Sequence, residues 1–357
     1  MTDFDTLTLT LGHFVGSLVA MQHVPADQDD SQLIEGGHIP GQPDLPAFSL
    51  RYCDPSPIPV VIAVPHAGRT YAHSLLERMR HPAFATPRLE DRYVDLLATR
   101  VAAETHAALL VAHAPRAIVD LNRAADDVDW DMMNHPAPDA SGDQNRGGDR
   151  TRTVDRGWSA KGGTMQRARS GLGLIPRRLP GLGELWKRRF EHHELDDRIA
   201  GVHQPYHAAL GDVLLRVRQR WGAVLLIDLH SMPPLPPPNS VERAPEFVVG
   251  DRFGAACGGE LIAAAFSHFA LERRLAAHNR PYAGGYVLDR HARRGEGIHC
   301  LQLEIDRRCY LEPRLVEPGD GFEDTVRLLV GLVQKLAGVA AELGGEAGSA
   351  RWRMAAE

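Results

Sequence analysis

Four apolar runs in this chain carry polar groups that could hold a metal ion or an anion. His66 follows the run Ile58–Val64, between Pro65 and the small residues Ala67 and Gly68. Asp228 and His230 close the run Ala223–Leu229, and residues two apart on a strand face the same side. Asn122 and Arg123 follow Ala117–Leu121, while Gln302 and Glu304 lie within Gly297–Asp306. Imidazole is the commonest metal ligand, and a carboxylate beside a ligating histidine orients its ring. Each motif also has a plainer reading: His66 could cap the next segment, and Asp228 the turn into Ser231-Met232-Pro233.

A catalytic metal usually takes three protein ligands and leaves one position open. Asp91 and Asp95 are the candidate carboxylate donors, one turn apart at the start of an expected helix. Acids at a helix start are favoured by the dipole alone, so these residues leave the third ligand open. Arg123 offers a fork suited to a carboxylate, with Asn122 adding a directional amide. A salt bridge from Arg123 to Asp126, Asp127 or Asp129 is the structural alternative. Glu304 sits in an apolar run, where desolvation raises a carboxyl pKa toward that of a general base. A solvent-facing glutamate on an edge strand is its alternative.

These groups need a frame that brings strand ends together. Ile58–Val64 reads as a buried strand, Asp91–Ala108 as a helix, and Ala108–Ala112 and Ala117–Leu121 as further strands. Glu184–Arg220 reads as helix, Ala223–Leu229 as strand, and Glu260–Phe269 as helix. Gly297–Asp306 is the last strand and Asp324–Leu343 a terminal amphipathic helix. This alternation predicts an α/β fold: one doubly wound, mostly parallel sheet with flanking helices, whose ligands bind beyond the carboxyl ends of strands. Residues 1–45 read as an N-terminal extension, 46–345 as the body and 346–357 as a tail. Residues 131–185, dense in Gly, Arg, Asp and Pro, read as an extended loop region over the site.

Composition narrows the function classes. The 357 residues are 43% hydrophobic and 24% charged, which suits a globular protein rather than a disordered one. A formal net charge of -6 argues against nucleic acid as partner. The four cysteines form no C-x-x-C pair and suggest no disulfide framework. The acidic start is unlike a signal peptide, and Leu7–Met21 is too short and too interrupted to span a bilayer. A cytoplasmic protein without membrane association is the expectation. No phosphate-binding glycine loop or G-x-S-x-G frame occurs.

Taken together, the residues resemble the N-formylglutamate amidohydrolase family. The matching stretches include Val64-Pro65-His66-Ala67-Gly68, Asp91-Arg92-Tyr93-Val94-Asp95, Val119-Asp120-Leu121-Asn122-Arg123 and Gly171-Leu172-Gly173-Leu174-Ile175-Pro176-Arg177. Gln204-Pro205-Tyr206-His207, Asp228-Leu229-His230-Ser231-Met232, Gly250-Asp251, Gly284-Gly285-Tyr286 and Leu301-Gln302-Leu303-Glu304 continue them in order, roughly over residues 55–335.

The resemblance implies a fold like that of zinc carboxypeptidases, with one Zn2+ per chain held by His66, His230 and, ahead of Asp95, Asp91. It implies Glu304 as general base and Asn122 and Arg123 on a substrate carboxylate; beside it, Arg177 or Arg198 is expected at the oxyanion, with Arg198 also a candidate substrate contact. His207 and Tyr286 are assigned substrate contacts on the same basis. The implied substrate is a small N-acyl amino acid such as N-formylglutamate. The alternatives are another N-acyl-amino-acid or peptide hydrolase, or a non-catalytic binder of an anionic metabolite. The chain departs from the pattern at Arg69, where carboxypeptidases place a glutamate, and at Asp91-Arg92-Tyr93, where the family usually carries a tryptophan. Residues 1–45 and the arginine-rich stretch Asn145–Arg169 read as additions.

Overall fold

A computed structural model describes residues 31–134, 171–237 and 243–355. The expectations for 1–30 and for the stretch Asn145–Arg169 lie outside these residues. The central feature is an eight-stranded mixed sheet. In chain order its first strands are β1 (Ser31–Gly36), β2 (Phe48–Cys53), β3 (Val60–Val64) and β4 (Ala108–Ala112). A separate hairpin pairs β5 (Arg178–Leu179) with β6 (Gly183–Glu184). The sheet is completed by β7 (Val224–Met232), β8 (Phe247–Gly250), β9 (Ala276–His278) and β10 (Ile298–Asp306). Strands β4, β3, β7 and β10 are parallel neighbours, and antiparallel pairings flank them at β2 and β8. The chain therefore has a mixed α/β fold with a large, mainly parallel sheet. Strand β1, within the segment read as an extension, forms one edge of it by pairing with β2.

Helices cover both faces. They are α1 (His73–Arg78), α2 (Pro82–Leu89), α3 (Val94–Thr105), α4 (His192–Arg198), α5 (Gln204–Trp221), α6 (Gly259–Leu271), α7 (Tyr286–His291), α8 (Phe322–Leu343) and α9 (Gly345–Ala355). Side chains alternate between the faces of a strand, and two apolar cores result. Val61, Ala63, Val224, Leu226, Ile298 and Cys300 form one core with Tyr206, Leu210, Val213, Val217 and Trp221 of α5. Val60, Ile62, Val64, Leu225, Ile227, Leu301 and Leu303 form the other with α3, α6 and α8. No described helix is long and apolar enough to cross a membrane.

Three elements differ from the sequence reading. Helix α3 begins at Val94, not Asp91: Tyr93 is left-handed at φ 58°, and the Asp91 N–H donates to His66 O at 2.9 Å. That bond draws Asp91 out of the helix and toward His66. Ala117–Leu121 is not a strand; a turn closed by Ile118 N–H on Pro115 O starts it, and its apolar side chains fill the first core as a loop. Helix does not begin at Glu184, which is tied into the β5–β6 hairpin. It begins at His192 behind a capping box formed by Glu191 and Glu194, and a π-helical turn over Ile199–His203 joins α4 to α5.

The loop carrying His66 runs against the chain just after β4. A Cβ on Gly68 would lie 2.2 Å from Ala114 O and 2.7 Å from His113 O, both backbone atoms that cannot step aside. Gly68→Ala should therefore destabilise the fold by roughly 1–3 kcal/mol through overpacking. Urea unfolding checks this: the midpoint falls, and an unchanged midpoint contradicts the close approach.

Candidate active site

On the face shared with α5, two neighbouring strands change character along their length. Val224, Leu226, Asp228 and His230 occupy successive same-face positions of β7, and Ile298, Cys300, Gln302 and Glu304 do so on β10. The parallel register sets Gln302 beside Asp228 and Glu304 beside His230. Each strand is thus apolar where α5 packs and polar toward its carboxyl end. His66 arrives from the loop after β3.

The imidazoles of His66 and His230 lie 4.8 Å apart, centroid to centroid. Each is anchored through Nε2 to a buried carboxylate: His66 to Asp120 Oδ1 at 2.8 Å, His230 to Asp228 Oδ2 at 3.0 Å. Both Nδ1 atoms then turn toward Asp91 Oδ2, at 3.7 Å for His66 and 3.0 Å for His230. Donor atoms of His66, Asp91 and His230 all lie within 4.8 Å of one another, and this group could hold a metal ion. Carboxylates behind both histidines are the usual outer support of such ligands.

Charge supports the fit. Asp91, Asp120, Asp228 and Glu304 are all buried here. Two guanidiniums face them. Arg116 donates twice to Asp120 Oδ2, at 2.9 and 2.8 Å, and Arg307 Nη2 lies 3.8 Å from Asp91 Oδ1. The buried cluster thus sets four carboxyl groups against two guanidiniums, an acidic surplus that a protonated His230 or a bound cation would offset. The side chains themselves register the imbalance. Burial alone would depress His230, but Asp228 and Asp91 hold its pKa well above the ordinary value. Burial raises Glu304 to about 7, with Asp91 and Asp228 adding to the shift against His230 and Arg116. Burial would also raise Asp91, yet its hydrogen bond to His230 and the neighbouring positive charges bring it down to about 2.

Asp95 lies outside this group: Arg69 grips it with two bonds, at 2.9 and 2.6 Å. Arg69 thus occupies the alternative carboxylate. Asn122 sits beside the site with its Nδ2 on Gln302 Oε1 at 3.1 Å and its Oδ1 accepting from Val287 N–H at 3.0 Å. Arg123 donates to Leu172 O and Asn122 O, with Asp127 at 3.9 Å. His207 is fully buried, bonded to Leu121 O and His291, and packs edge-on against Tyr286. The remaining two arginines have other partners. Arg177 bonds Asp129 and Glu184, while Arg198 is buried over the Phe190 ring and donates to Glu194 O.

Arg116 is the functional neighbour that the sequence reading passed over. It stands four residues before Asp120, and a buried aspartate in an apolar run needs such a partner. Ser231 and Arg307 were also missed as supports of Asp91. Ser231 Oγ contacts Asp91 Oδ1 at 3.4 Å and accepts from Arg307 Nε at 3.2 Å.

Comparison with known proteins follows the same residues. Residues 58–311 match the family model described as N-formylglutamate amidohydrolase. The chain is 26% identical over 274 residues to N-formylglutamate deformylase of Pseudomonas aeruginosa, covering 71% of this chain and 83% of that protein. The Pseudomonas putida protein of the same name is 26% identical over 264 residues, covering 71% and 82%. Among solved structures, N-formylglutamate amidohydrolase from Ralstonia eutropha JMP134 superimposes with a TM-score of 0.69 at 27% identity, over 83% of this chain and 99% of that one. With the family match running from the strand before His66 to beyond Glu304, this chain belongs to the N-formylglutamate amidohydrolase family.

Proposed function

We propose that the protein hydrolyses the amide of an N-formyl amino acid such as N-formylglutamate, releasing formate and the free amino acid, with zinc at His66, Asp91 and His230. The observation that carries this reading is the group of two imidazoles and one carboxylate with Glu304 beside His230 on the adjacent strand. The names of the relatives supply the substrate class. A divalent cation at these ligands would supply Lewis acidity at the acyl carbonyl and acidify a water there.

The chain's own residues do the rest. Asp120 and Asp228 hold the Nε2 protons of the two histidines and keep both Nδ1 atoms aimed at one point. Glu304 takes a proton from the attacking water and hands it to the leaving nitrogen, so the C–N bond breaks with release of a neutral amine. Arg116 sits one carboxylate away from His66, within electrostatic reach of Asp91 and Glu304, and supplies positive charge for the oxyanion. Arg116 is itself bonded to Asp120, as Arg177 is to Asp129 and Glu184, but its charge acts on Asp91 and Glu304 of the site. Arg123 serves the substrate carboxylate.

Glu304→Gln should lower kcat on N-formylglutamate about 10²–10⁴-fold while leaving metal content unchanged. Full activity in that variant rules the mechanism out. Asp120→Asn can no longer accept from Arg116 and His66 with a full charge, and its zinc affinity should fall roughly 10–100-fold in a chelator-competition titration. Removing metal with a chelator should abolish hydrolysis and added zinc restore it; activity that survives complete removal excludes the zinc reading. A panel of N-acyl amino acids separates the formyl substrate from its rivals. A chain that purifies with far less than one metal ion and turns over none of the panel is a binder instead.

A further inference from the structure

We propose that Gln302 is the positioning residue for Glu304, and that Asn122 acts through it. The two amides form a one-way chain of hydrogen bonds from a backbone N–H to one oxygen of the base. The chain begins at Val287 N–H, which donates to Asn122 Oδ1 at 3.0 Å. Asn122 Nδ2 donates to Gln302 Oε1 at 3.1 Å, and Gln302 Nε2 donates to Glu304 Oε1 at 2.8 Å. All three side chains are buried.

The polarity of this chain is forced. A backbone N–H can only donate, so Asn122 must present its oxygen to Val287 and its nitrogen to Gln302. Gln302 must then present its oxygen to Asn122, which turns its nitrogen toward the carboxylate. Reversing either amide would set two donors or two acceptors face to face. Each bond polarises the next, so the last donor is stronger than an isolated amide. The consequence falls on the carboxylate. Glu304 Oε1 is pinned, while Oε2 has no hydrogen bond among the described residues and is left for the reacting water. A general base must be held to its proton within hydrogen-bond reach, and a glutamate otherwise turns freely about its last torsion.

The surrounding chain is shaped for this contact. A Cβ on Gly285 would lie 2.5 Å from Asn122 Oδ1, so only glycine there lets the start of α7 come close enough for Val287 N–H to donate. A Cβ on Gly250, the residue opposite Gln302 on β8, would strike the backbone of Tyr282, Ala283 and Gly284 at 2.7–2.8 Å. These two glycines let the loop lie over the strand ends. Asn122, expected from sequence to hold substrate, is here committed at both ends of its amide.

The inference rests on Glu304 being the base, so its test has one arm that needs turnover and one that does not. Gln302→Met keeps the length of the side chain and removes the amide. It should lower kcat on N-formylglutamate roughly 10–100-fold, with KM and zinc content nearly unchanged, because the base is misplaced while binding is not. Asn122→Ala should lower kcat in the same way, and the double variant should cost no more than Gln302→Met alone. Losses that multiply in the double variant, or a loss confined to KM, overturn the proposal. If Gln302→Met does not fold, Gly285→Ala breaks the chain one link earlier and should show the same split between kcat and KM. The second arm is a crystal structure of zinc-loaded Gln302→Met. Glu304 should occupy more than one orientation there, with His66, Asp91 and His230 unmoved. A single, native-like Glu304 in that structure overturns the positioning claim even if N-formyl amino acids prove not to be the substrate.

Discussion

Two buried carboxylate–imidazole hydrogen bonds, Asp120 to His66 and Asp228 to His230, set what every other part of this site can do. A histidine has two ring nitrogens, and a bond at one decides what the other offers. With both Nε2 protons held from behind, both Nδ1 atoms converge on Asp91 Oδ2. Asp120 can do this because it is itself saturated: Arg116 takes one oxygen twice, and His66 with the Asn122 N–H takes the other. That network keeps Asp120 ionised despite burial, its pKa held well below the usual carboxylate range by Arg116 and His66. An unpaired carboxylate at such depth would simply protonate and lose its grip.

The strand register carries this arrangement from local bonds to the whole sheet. On the α5 side, β7 and β10 have apolar residues in the first half and Asp228, His230, Gln302 and Glu304 in the second. A slip of one residue in either strand would send its polar groups into the opposite core, among Leu225, Ile227, Leu301 and Leu303. Burying those charges against leucine is far costlier than any local gain, so the same pattern that fills the two cores also fixes the alignment of Glu304 with His230. Stability and chemistry are specified by one alternation.

How much of this could be read from the chain depends on distance along it. His66, Asp228 and His230 are legible because each sits where an apolar run meets small or polar residues, a pattern only a few positions long. The choice between Asp91 and Asp95 is not legible, since both suit a helix start. It turns on the left-handed backbone of Tyr93, which delays the start of α3 to Val94, three residues past Asp91, and leaves Asp95 to Arg69. Asn122 was legible as a polar group at the site but its partners were not, because Gln302 and Val287 lie 180 and 165 residues away. Ala117–Leu121 misled for a related reason. Apolar residues in a buried loop follow the same burial rule as a strand, and only the turn at Pro115 distinguishes them.

That loop raises a further constraint, because Asp120 and Asn122 hang from it and not from a strand. Asp120 and Asn122 are held in place by the carbonyls around them: His207 bonds Leu121 O at 3.0 Å and His203 bonds Arg123 O at 2.9 Å. A carbonyl only accepts, so each histidine must carry its proton on Nε2. His207 Nδ1 is then an acceptor, and His291 must donate to it from its own Nε2. The three rings therefore have assigned tautomers, provided none is doubly protonated. Burial secures this by pushing the pKa of all three down, His291 to about 3 with help from Arg290. The charged logic of the centre and the neutral logic of this neighbouring cluster are thus complementary. Carboxylates and guanidiniums aim His66 and His230, and uncharged histidines on α5 and the π-turn before it hold the loop from which one of those carboxylates projects.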